Sequence, residues 1–155
     1  MLRHCLLVAA TTALAAATAQ GASSPLAAEV GRSRPVVLVA PDPVDPAALT
    51  LARELSRPPT RAALAERQVV MFTVVAGRGK REGVPLDAAA TAALLAGLGL
   101  RADGPAVTLL VGKDGGVKLR RDRLPIAEIL AAIDRMPMRR EEMRRPERRS
   151  TTRSG

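Results

Sequence analysis

The chain has 155 residues, 47% of them hydrophobic, and a formal net charge of +9. That is enough for one globular domain, and it points to an acidic partner until the charge is located. Cys5 is the only cysteine and His4 the only histidine; Trp and Tyr are absent and Phe72 is the single phenylalanine.

In "MLRHCLLVAATTALAAATAQGA", Arg3 and His4 precede an apolar stretch from Cys5 to about Ala17 and the small triplet Ala17-Thr18-Ala19. This is the layout of a secretory signal peptide (residues 1–19) cleaved after Ala19, and it implies a periplasmic or secreted protein. The alternative is a retained anchor, for which the run is short and alanine-rich. Cleavage removes Cys5 and His4 together. The mature chain then has no disulfide, no thiolate chemistry, no Cys/His metal site and no His-based nucleophilic device. No cofactor or metal is expected, and no transmembrane segment remains. With one aromatic residue there is little to stack on single-stranded nucleic acid, so no specific nucleic-acid partner is expected.

Residues 20–34, small and polar, read as a flexible leader. "PVVLVA" (35–40) is an apolar run consistent with a buried strand. The prolines of "PDPVDP" (41–46) stop it, and Asp45-Pro46 predicts a helix start with Asp45 as N-cap. The helix should run to about Ser56 with Ala48, Leu51, Ala52 and Leu55 on one face. Pro58-Pro59 ends it, and "TRAALAERQ" (60–68) is a short second helix. "VVMFTVV" (69–75) is a central strand, and "AGRGKREGVP" (76–85) reads as a mobile loop. Asp87 caps an alanine-rich helix ending at Gly97 or Gly99. Two strand-like arms, 106–112 and 117–121, flank Lys113-Asp114-Gly115-Gly116, where Asp-Gly supplies the positive φ of a hairpin turn. Pro125 starts a last amphipathic helix with Ile126, Ile129, Leu130 and Ile133 on one face.

Residues 139–155 form a basic tail expected to be partly disordered. From Arg135 onward eight arginines stand against three glutamates. The body, 35–138, is only mildly basic. Arginine outnumbers lysine 21 to 3, a bias that fits a GC-rich bacterial genome and makes each arginine weaker evidence of recognition. The tail is either a solvated segment or a contact with an acidic surface such as anionic lipid or a polyanion.

The element order, β-α-(α)-β-α-β-β-α, describes an α/β fold with a four-stranded mixed sheet flanked by helices. This order resembles the thioredoxin-like fold. The residues "RPVVLVAP", "TLLVGKDGGVKLR" (108–120) and "IDRMPMRREEMRR" (133–145) resemble, more specifically, the secreted family called domain of unknown function 4174, over Arg34 to Arg145. The resemblance implies a thioredoxin-like domain with no established reaction and points to binding or adhesion. It also implies that the place of the redox Cys-x-x-Cys is taken by Pro41–Pro46. By the same matching, Val107 stands where thioredoxins carry their cis-proline, with Pro105 two residues early.

Several residues remain as candidate sites. Gly77, Gly79 and Gly83 are spaced G-x-G-x-x-x-G, and Lys80 precedes Arg81 where a P-loop needs Ser or Thr, so neither a dinucleotide motif nor a P-loop is present. The cluster Arg78, Lys80 and Arg81 can still attract an anion. Asp42 and Asp45 are either turn and cap residues or a carboxylate pair for cation binding or acid–base work. Met136, Met138 and Met143 suit packing of the last helix better than a soft metal set. The expectation is a non-enzymatic binding or structural module of the cell envelope. Its partner, a protein or envelope polymer, would sit in a groove between the loops 41–46 and 104–107, with the tail adding attraction to an anionic surface. The alternative is a thiol-independent hydrolase or lyase using Asp42 and Asp45.

Overall fold

The computed structural model describes residues 23–152, with side chains to Arg144. The expected signal peptide and its cleavage position lie outside the described residues. Among those described, no helix is long and apolar enough to cross a membrane.

Two apolar runs make the centre of the sheet. Strand β1 (Arg34–Ala40) is buried at every position, and β2 (Val69–Val75) lies parallel to it, with Arg34 opposite Val69 and Ala40 opposite Val75. β5 (Val107–Val111) pairs antiparallel with the other side of β1, and β6 (Val117–Arg121) completes the hairpin beside β5. The Lys113–Gly116 segment is the tip of that hairpin, as its Asp-Gly pair predicts.

The sheet nevertheless has six strands, in the order β4-β3-β2-β1-β5-β6, where the sequence suggested four. The two additional strands occupy the segment read as a loop. β3 (Arg78–Arg81) returns antiparallel along β2, and β4 (Val84–Pro85) returns along β3. Each reversal is a two-residue turn, Ala76-Gly77 and Glu82-Gly83, with positive φ at both positions. Such turns match the twist of the flanking strands.

Helix α1 (Pro46–Ser56) begins as predicted: the Asp45 carboxylate accepts from the Ala47 N–H at 2.8 Å and Pro46 occupies the first turn. α2 (Pro58–Glu66) starts two residues earlier than expected, its prolines fitting the first turn where N–H groups are unpaired in any case. α3 (Ala88–Gly97) is capped by Asp87, which accepts from the Ala90 N–H at 2.7 Å. α4 (Ile126–Asp134) and α5 (Pro137–Thr152) close the chain.

Strand alternation divides the core between two faces. Val36, Leu38 and Met71 face α1, α2 and α4 through Leu51, Leu64, Ile129 and Ile133. Val37, Val39, Phe72 and Val74 face α3 through Leu94. Residues 25–33 are part of this body. A 3₁₀ turn, Pro25–Glu29, packs beside α3, and Glu29 is 5% exposed with its carboxylate accepting from Ser33 and, at 2.8 Å, from Arg81.

Candidate functional site

The helices do not cover the sheet evenly. α1 and α2 follow β1 and lie over β1 and the near side of β2, whereas α3 crosses to the opposite face. β3 therefore has a helix on one side only. On its uncovered side a groove of about 980 Å³ runs between the α1–α2 pair and the β2–β3 floor. That volume sits at the upper end of the roughly 300–1,000 Å³ found for small-molecule sites.

The groove is apolar along its length. Leu49, Ala52 and Leu55 of α1 and Leu64 of α2 form one wall, with Met71 and Val75 of β2 on the floor. Thr73 supplies the single hydroxyl. Leu49, which lines the groove, is 40% exposed, an unfavourable placement for a large apolar side chain unless something covers it.

The charged lining residues are Arg61 of α2 and, along β3 and its turn, Arg78, Lys80 and Glu82. β3 aligns Arg78 beside Val75 and Lys80 beside Thr73, and both line the groove. Among the described residues neither has a carboxylate within ion-pair distance. Glu82, next in the row, is turned to the backbone, where its carboxylate accepts from the Met71 N–H. Arg61 on α2 donates to the Leu55 and Ser56 carbonyls at 3.1 and 3.2 Å, tying α2 to the end of α1.

The other predicted site residues are dispersed. Arg81 is three positions from Arg78, and the strand's two-residue period sends it to the opposite face, where it pairs with Glu29. Val107 is buried on that opposite face among Val37, Val39 and Leu109, and does not border the groove. Asp42 accepts from the Val44 N–H at 2.8 Å and Asp45 caps α1, so both carboxylates serve the loop that shapes the mouth. Among the described residues no three His, Cys, Asp or Glu side chains gather into a metal-binding set.

A second polar cluster went unrecognised in the sequence. At the start of β1, Arg34 is 1% exposed and donates to the Arg67 carbonyl at 2.9 Å and to the Glu142 carboxylate at 3.1 Å. Lys113, from the hairpin tip, meets the same Glu142 oxygen at 2.5 Å and also donates to Gln68. Arg139 donates to Glu66 at 2.6 Å, and Arg67 forms a two-pronged pair with Asp134 at 2.8 and 2.9 Å. Burial works to raise Glu142, but hydrogen bonds from Lys113 and Arg34, with their charges, hold its carboxyl below the usual range. Asp134 is lowered chiefly by its hydrogen bond from Arg67. The arginines of "MRREEMRR" thus include docking residues, and the body's contacts extend to Glu142, past the boundary expected at residue 138.

The family described as domain of unknown function (DUF4174) matches residues 25–142. The chain belongs to that family. The match begins at the 3₁₀ turn and ends on the last docked carboxylate, so the DUF4174 region coincides with the packed body, including the groove and the ionic cluster. Comparison with curated proteins and with solved structures gives no match.

Proposed function

We propose that this DUF4174 chain is an exported, non-enzymatic binding module of thioredoxin-like architecture acting in the cell envelope, and that the α1–α2/β2–β3 groove is its ligand site. The groove carries the reading: a long apolar channel with the exposed side chain of Leu49 on its wall favours occupancy by an apolar ligand. The thioredoxin-like part is supported by the central strand order β2-β1-β5-β6, with β1 and β2 parallel and a hairpin beyond. Binding is favoured over a hydrolase or lyase because Asp42 and Asp45 are engaged with backbone N–H groups and stand outside the groove's lining.

The test is binding of a neutral apolar fluorophore, N-phenyl-1-naphthylamine, to the purified protein. It should saturate at one site. Ala52→Trp, which fills the groove from an exposed position on α1, should weaken binding by at least about tenfold while leaving the circular dichroism unchanged. A folded Ala52→Trp protein that binds as well as the wild type sinks the groove as the site.

A further inference from the structure

The chemistry of the groove narrows what it holds. A bound peptide brings an N–H and a C=O with every residue, and each must find a partner or lose free energy on burial. The walls offer Thr73 as their only hydroxyl, and the floor strands cannot supply a ladder, because β2 is paired on both sides by β1 and β3 and β3 by β2 and β4. An alkyl chain needs no such partners. From Val69 to Val75 the floor runs about 20 Å at the rise of a strand, ample for an extended chain of dodecanoate length.

The head group is set by the cations. Arg78 and Lys80 are two residues apart on one strand, hence about 7 Å apart along it and on one face. Among the described residues neither has a carboxylate within ion-pair distance, and Glu82, which also lines the groove, accepts from the Met71 N–H. They stand toward the end of the floor where Val75 and the Pro43 loop form the mouth. At the far end Arg61 is committed to the carbonyls of α1. A pair of cations with free donors at one end of an apolar channel matches a molecule with one tail and one anionic head, whereas Arg61 keeps its charge but spends donors on the α1 carbonyls.

We propose that the groove binds a monomeric long-chain carboxylate, its alkyl chain lying under α1 and α2 and its carboxylate held by Arg78 and Lys80. This inference rests on the groove being the ligand site, and the experiment separates the two. Dodecanoate, methyl dodecanoate and dodecyltrimethylammonium are each titrated, below micelle formation, against protein loaded with N-phenyl-1-naphthylamine. Dodecanoate should displace the dye best, and decanoate should be weaker by up to roughly fourfold per methylene removed. Arg78→Gln/Lys80→Gln should weaken dodecanoate by about tenfold and leave the dye and the methyl ester unchanged, whereas Arg78→Lys/Lys80→Arg should keep dodecanoate affinity.

Equal displacement by the carboxylate and the ammonium amphiphile overturns the proposal. So does an unaltered dodecanoate affinity in the Gln double variant. Cosedimentation of a chain ending after Arg144 with phosphatidylglycerol vesicles, without displacement by soluble dodecanoate, also overturns it in favour of a membrane surface. Absence of dye binding in the wild-type protein defeats the groove itself and the inference with it.

Discussion

Gly79 lies against α3 so closely that a β-carbon at its position would stand 2.3 Å from the Thr91 hydroxyl oxygen. Thr91 cannot swing away freely, since that hydroxyl donates to the Asp87 carbonyl at 2.8 Å. Gly79→Ala should therefore cost about 1–3 kcal/mol in denaturant unfolding, and adding Thr91→Ala, which removes the nearest two atoms, should recover part of it. No recovery would place the cost in the strand backbone. The ionic cluster is the other residue-scale device. Glu142 and Asp134 are both held below their ordinary values, so the unfolded chain takes up protons first as pH falls. The stability they add is complete above the unfolded carboxylate range, about pH 4, and is lost as pH drops through their lowered folded values. Melting scans from neutral to acid pH should show that loss. Glu142→Gln should be less stable at neutral pH by about 1–3 kcal/mol and show a shallower acid limb.

Elements with a strong local signal were legible before folding was considered. "VVMFTVV" is β2 over Val69–Val75, and Asp45-Pro46 starts α1. β3 and β4 were not legible. "RGKR" has no apolar alternation, and its strand character comes only from the ladder to β2. Its turns use Ala76 and Glu82 at positive φ, at 48° and 50°, where Asn or Asp would have advertised the reversal. Arg78 and Lys80 were visible as a basic cluster, but their parting from Arg81 required knowing that the segment is a strand. The groove had no signal, because it arises from where helices are absent. α5 shows the same limit: its composition reads as a solvated tail, yet Arg139 is 8% exposed and Glu142 anchors Arg34. A chain ending after Arg144 should therefore melt with the full protein, while one ending at Met138 should melt markedly lower. The proposed contribution of the basic segment to envelope association is then measured on the longer truncation. If 145–155 carry it, association should fall with their removal and with rising salt; unchanged association would exclude those residues.

At the scale of the whole molecule, helices cover β3 on one side only, and the side left bare holds both the apolar channel and its pair of cations. Residues 23–152 contain no cysteine or histidine. Arg34 has a different consequence. Its guanidinium is buried at the head of the central strand, and the carboxylate facing it lies 108 residues further along. Synthesis delivers the arginine first, so β1 and β2 can align early but leave a buried cation short of its counter-charge until the last helix follows. The final turn of the body thus acts as the completion step of the fold. A nascent chain that has not reached Glu142 should therefore be less resistant to proteolysis than the completed body, since Arg34 still lacks that carboxylate.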